Sequence, residues 1–260
     1  MESKMQHEIV SKEQWVVARR ALLAKEKAMT RARDQLSAER RELPWVRIDK
    51  PYFFDGPEGR LSLSDLFAGR SQLFIKHFMM GPGQQHHCVG CSFELDNAEG
   101  VLVHLENHDV SYVAVARAPI VEIEALKARM GWRARFVSSY GSDFNFDFNV
   151  SYTPEQLVAK KATYNFGPLD FEIEDLSGDS VFYKDDNGQI FLTYANFGRG
   201  SEMYLGAYGI LDAMPKGRNE NGTSNDLTSW VRPHDMYGKG GMVEPTGRYH
   251  PADCGCGKHV

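Results

Sequence analysis

Cys88-Val89-Gly90-Cys91 lies between an apolar run and a helical pattern, and that junction constrains the fold more than any other stretch. Leu73-Phe74-Ile75-Lys76-His77-Phe78-Met79-Met80 reads as a buried strand. Gly81-Pro82-Gly83 breaks it, and Ser92 onward reads as a helix to about residue 107. A pair of cysteines where a strand feeds a helix N-terminus meets backbone N–H groups and the positive end of the helix dipole, which stabilise a thiolate. His86 and His87 stand directly upstream, so the residues alone admit a redox dithiol or a metal cage.

Two further observations narrow the class. The four cysteines fall into two close pairs, Cys88/Cys91 and Cys254/Cys256, too few for a disulfide-stapled scaffold of 260 residues. A net charge of −5 argues against a basic nucleic-acid surface. No apolar run reaches the ~20 residues that cross a bilayer, and the first residues carry no apolar leader segment, so the expectation is a cytoplasmic protein.

Ser11-Lys12-Glu13-Gln14 has the capping-box form, and a helical pattern follows to about Arg41 before Pro44. Trp15, Leu22, Met29, Leu36 and Leu43 recur every seven residues, a narrow stripe that suits docking on the chain's own body or a homodimer. Trp45–Phe54 reads as extended, Val110–Ala116 as a second buried strand, and Ile120–Met130 as a helix ended by Gly131. Residues 141–148 alternate polar and aromatic positions as a half-exposed strand would. Val181-Phe182-Tyr183 and Ile190–Tyr194, separated by Asp185-Asp186-Asn187-Gly188, form a hairpin signature. A last helix is expected over 205–214, and the Gly-, Pro- and Asn-rich stretch beyond is expected to be irregular.

The order β–CxxC–α–β–α, then a hairpin and a terminal helix, resembles the thioredoxin-like fold. Several motifs together resemble the bacterial DUF899 family, described as predicted dithiol-disulfide oxidoreductases. They are His77-Phe78-Met79-Met80-Gly81-Pro82, Cys88-Val89-Gly90-Cys91-Ser92 with Asp96, Met130-Gly131-Trp132, Ser138-Ser139, and residues 143–148. Thr193-Tyr194, Arg199-Gly200, Trp230 and His234-Asp235-Met236-Tyr237 complete them. The resemblance implies an α/β thioredoxin-like domain over 45–215, a central mixed sheet flanked by helices. An N-terminal helical arm (1–44) precedes it and an irregular C-terminal extension (216–260) follows. It departs from thioredoxins in two places: His87 precedes the first cysteine, and Leu176-Ser177-Gly178-Asp179-Ser180 lacks the proline that in thioredoxin-like proteins faces the disulfide and helps exclude metal. Gly81 and a glutamine stand where a peroxiredoxin would place its Pro and Thr before Cys88, which disfavours that type of peroxidase.

The expected function is thiol–disulfide oxidoreduction, with Cys88 as nucleophile, Cys91 as resolving thiol, and His87 or His86 stabilising the thiolate. No cofactor is required for that reading, and a disulfide-containing or small-molecule thiol substrate is its partner. The alternative is Cu or Zn held by Cys88, Cys91, His86 and His87, as carrier or metal-dependent oxidoreductase. Cys254 and Cys256 are a second redox pair, additional ligands, or an inert terminus. Asp143, Asn145 and Asp147 line a pocket, bind a cation or, the favoured reading, satisfy turn backbone; Arg199 grips an anion or pins a loop; His234 is oriented by Asp235 or is a surface residue. Asp96 is expected to lie on the polar face of its helix.

Overall fold

The computed structural model describes residues 7–169, 173–220 and 227–253. Its contacts divide the chain into two compact units, residues 1–44 and 45–260. In the first, α1 (Lys12–Arg41) starts on a complete capping box: the Ser11 hydroxyl accepts from the Gln14 N–H, and the Gln14 side chain accepts from the Ser11 N–H.

The second unit begins with β1 (Val46–Arg47), β2 (Phe53–Gly56), β3 (Gly59–Ser62) and the one-turn α2 (Leu63–Leu66). β4 (Gln72–His77), α3 (Val89–Glu99), α4 (Leu102–Asn107), β5 (Val110–Ala116), α5 (Ile120–Met130) and β6 (Arg135–Ser138) follow. After α6 (Phe144–Asp147), α7 (Pro154–Val158), β7 (Thr163–Tyr164) and β8 (Gly167–Pro168), the hairpin β9 (Gly178–Lys184) and β10 (Ile190–Phe197) closes the sheet. α8 (Gly206–Leu211) and a small hairpin of β11 (Met242–Val243) with β12 (Tyr249–His250) come last.

Eight strands form one mixed sheet in the order β1-β10-β9-β4-β5-β6-β2-β3. β4 is central: it runs parallel to β5, reached through the α3–α4 crossover, and antiparallel to β9. This α/β arrangement with helices on both faces is the thioredoxin-like fold, and it places α3 with its cysteines directly after the central strand. Alternation along β4 divides the sheet's two sides. Leu73 and Ile75 enter a core with Phe54, Leu66, Phe144 and Phe182, whereas Phe74 and Lys76 face the side of α3.

Four expectations change. Residues 141–148 are not a strand: Phe144 and Phe148, four apart, meet with ring centroids 4.5 Å apart on one face of a helical turn and bury against Tyr52 and Phe182. The helix expected through residue 107 breaks at Gly100 into α3 and α4. The last helix is shorter, Gly206–Leu211, with a 3-10 turn over Gly198–Tyr204 before it. The C-terminal stretch is not merely irregular. Over residues 227–253 it forms 3-10 turns and the β11–β12 hairpin, and it buries Val231 and Tyr249 against Val89, Phe93 and Tyr208.

Candidate active site

Cys88 is the N-cap of α3, with extended backbone and its Sγ accepting the Cys91 N–H at 3.3 Å. Cys91 lies one turn inside, where its Sγ accepts the Met79 N–H at 3.5 Å. Both thiols are free and buried, with Cys88 only 6% exposed. Their environments push them apart. The Cys91 thiol, the Cys91 and Gly90 N–H groups, and the Lys76 ammonium draw the Cys88 pKa down to about 7 against the penalty of burial. Burial raises Cys91 well above an ordinary thiol, and the neighbouring Cys88 adds to that.

Under the pair lies an ion cluster that sequence reasoning missed. Lys76 Nζ sits 2.5 Å from Glu94 Oε2 and 3.4 Å from Asp179 Oδ1, with all three side chains buried. Burial disfavours the Lys76 charge, but Asp179 and Glu94 together hold it protonated. One ammonium between two carboxylates leaves a net charge of −1, which a single proton removes. Burial and Asp179 place that proton on Glu94 by raising its carboxyl. A Glu94 carboxyl donating to Asp179 also accounts for Glu94 Oε1 and Asp179 Oδ2, which as bare carboxylate oxygens have no partner. The available signal was Lys76 itself, a charge inside an apolar strand.

The C-terminal hairpin crosses this site as a strap. The Val89 N–H donates to the Gly247 carbonyl at 2.8 Å, and the Tyr249 N–H donates to the His87 carbonyl at 3.1 Å. Cys88 and Arg248 form an antiparallel bridge between them. Gly247 makes the tight turn at φ +85°, a conformation glycine favours, and a Cβ there would stand 3.8 Å from Cys88 Sγ. A cavity of about 240 Å³ reaches Cys88, lined by Lys76, Glu94, Ser177, Arg199, Leu227 and Thr246 among others. Ser177 immediately precedes β9, and every described peptide bond is trans.

The histidines go elsewhere. The His86 ring lies against that of His250, centroids 4.0 Å apart and tilted by 39°, and its pKa is lowered by burial and by His250. His87 lines a separate cavity of about 440 Å³ with Met80, Gln84, Glu122 and Arg129. Burial, Arg129 and His86 lower its pKa to about 4, so near neutral pH it brings no positive charge to the thiolate. Among the described residues no three of Cys, His, Asp and Glu gather to hold a metal, so neither imidazole joins the thiols as a third ligand.

Arg199 lines the cavity of Cys88 while its Nε donates to Glu202 Oε1 at 2.7 Å. Asp143 and Asp147 both hold the Lys50 ammonium, at 2.8 and 2.6 Å, and Asp147 also accepts from the Tyr52 hydroxyl. Asn145 is buried and accepts from the Ser139 hydroxyl at 2.8 Å. None of the three joins the thiol site: Asp143 lines a separate cavity of about 390 Å³ with Lys50, Tyr52 and Tyr140, and Asn145, two residues along the chain, is buried. His234 is oriented by Asp96 (Nδ1–Oδ1 2.7 Å) and not by Asp235, which pairs with Arg129. The same Asp96 oxygen accepts the Trp132 indole N–H at 2.6 Å, so Asp96 is a structural hub on α3 and not just solvated surface. Cys254 and Cys256 lie outside the described residues. Among the described residues no helix is long and apolar enough to cross a membrane.

The model of a family described as a bacterial protein of unknown function, DUF899, matches residues 4–237. No curated protein matches. Solved structures give distant likenesses. A mutant of PrxQ from Xylella fastidiosa is 14% identical, with 65% of this chain and 94% of that one covered, at a TM-score of 0.42. A mutant of peroxiredoxin Q from Xanthomonas campestris is 17% identical over 65% and 96%, at 0.40. Peroxidoxin BcpB from Mycobacterium tuberculosis is 11% identical over 63% and 94%, at 0.36.

Proposed function

We propose that this chain, which belongs to the DUF899 family, is a dithiol–disulfide oxidoreductase that works through Cys88 and Cys91. The observation that carries the reading is the opposed tuning of the two thiols. Cys88, drawn down to about 7 and open to a cavity, is the nucleophile; Cys91, held protonated and one helical turn deeper, resolves.

In the forward direction the Cys88 thiolate attacks a disulfide sulfur and displaces one thiolate. Cys91 then loses its proton and attacks the Cys88 sulfur, releasing the second thiolate and leaving a Cys88–Cys91 disulfide. The Lys76–Glu94–Asp179 cluster favours negative charge on these sulfurs through Lys76, and its single mobile proton offers a nearby exchange partner. No resident metal is part of this reading, and the location it fits is a reducing cytoplasm.

Cys88→Ser is expected to abolish disulfide reduction, whereas Cys91→Ser accumulates a mixed disulfide with substrate that mass spectrometry detects. A wild type that reduces no disulfide, with a Cys88 that titrates like free cysteine, would sink the proposal. Elemental analysis of anaerobically purified protein tests the metal alternative: near-stoichiometric Cu or Zn that disappears in Cys88→Ser would favour it instead.

A further inference from the structure

The strap that crosses Cys88 bears on what reaches it. One way a peptide binds is to add its backbone as a strand against free main-chain groups, and a polypeptide disulfide docking at Cys88 in that way would need the groups beside it. The groups flanking Cys88 are already taken by this chain's own residues: the His87 carbonyl by the Tyr249 N–H, and the Val89 N–H by the Gly247 carbonyl. Tyr249 is itself buried among Val89, Phe93 and Val231, so the strap is anchored by packing as well as by hydrogen bonds. Among the described residues, Cys88 opens instead onto the cavity of about 240 Å³. Gly90, Leu227 and Gly247 are among the residues that line it, and a Cβ added at Gly90 would stand in ordinary contact with Leu227 at 3.6 Å.

We infer that this chain's substrate is a low-molecular-weight disulfide, with the 244–249 strap occupying the place a protein substrate's backbone would take. The inference rests on the dithiol reading above. The Cys88 thiolate forms a bond to one sulfur of the small disulfide as its S–S bond breaks. Cys91 then displaces the second half from Cys88. The two leaving thiolates take up one proton from Cys91 and one from solvent, so one disulfide becomes two thiols while the dithiol becomes a disulfide. A small dithiol regenerates the reduced protein.

The test uses the reduced full-length chain in single turnover against 2-hydroxyethyl disulfide and, separately, insulin. The wild type is expected to be oxidised by 2-hydroxyethyl disulfide at least roughly tenfold faster than by insulin, because insulin must wait for the strap's hydrogen bonds to open. Val89→Pro removes the N–H that holds Gly247 at a helix position where proline is tolerated, and Cys88 already has the extended backbone a following proline requires. That variant is expected to narrow the ratio by accelerating insulin alone. Thr246→Trp puts an indole into the cavity that Thr246 lines and is expected to slow 2-hydroxyethyl disulfide while leaving the folded protein's thermal transition in place. Equal rates for the two disulfides in the wild type, or no effect of Thr246→Trp in a folded protein, overturn the substrate assignment but leave the dithiol chemistry standing. If neither disulfide oxidises the wild type, both fall.

Discussion

Lys76 shows how one residue sets the chemistry of its neighbours. It occupies an alternating strand position that should be apolar, so its burial is tolerable only because Glu94 and Asp179 meet it there. Removing it leaves buried carboxylate charge unpaired and takes a positive charge from beside Cys88. Lys76→Met is therefore expected to destabilise the protein by about 3–5 kcal/mol and to raise the pH at which Cys88 alkylates. In the wild type the iodoacetamide rate should climb with pH through a midpoint of about 7, because only the thiolate reacts. Glu94→Gln keeps a donor toward Asp179 and loses no charge if Glu94 is protonated, so it should change stability by no more than about 1 kcal/mol. A large loss in Glu94→Gln would show that Glu94 is ionised. The cysteine pair was legible in the sequence because strand, turn and helix signals surround it. The three-residue cluster beneath it was missed: only Lys76 is conspicuous in its run, whereas Glu94 and Asp179 look like ordinary surface residues until the fold buries them.

Elements were legible where their pattern is local and lost where it is tertiary. The capping box at Ser11, the strand Val110–Ala116 and the helix Ile120–Met130 appear where their periodicity put them. Residues 141–148 misled because aromatics at every second position satisfy both periods over so short a span, and the buried pair Phe144/Phe148 decides for the helical one. The strap had no signal at all. Its strands are two residues each in Gly- and Pro-rich sequence, and what orders them is pairing with the main chain around Cys88. α3 is held from its outer side by Asp96, whose one oxygen serves both Trp132 and His234. Asp96→Ala should leave the mostly buried indole N–H unpaired and free the 234–236 turn, costing about 1–3 kcal/mol in a denaturant titration. A change within a few tenths would mean the turn is held by its other contacts.

At the scale of the whole molecule, all three apolar cores are assembled from residues 48 onward, and the eight-stranded sheet begins at Val46. The thiols, the buried cluster and the strap also belong entirely to the unit that starts at Trp45. The other unit, residues 1–44, has α1 (Lys12–Arg41) as its described helix and contributes no residue to those cores. A chain beginning at Trp45 is therefore expected to unfold in one cooperative thermal transition, to retain near-ultraviolet circular dichroism, and to keep the Cys88 alkylation midpoint of the full chain. Loss of the cooperative transition would mean that the helix supplies packing the larger unit needs. A shifted midpoint with folding intact would instead make the arm part of the chemistry, since a thiol's pKa reports charges and dipoles near it and little beyond about 10 Å at moderate salt.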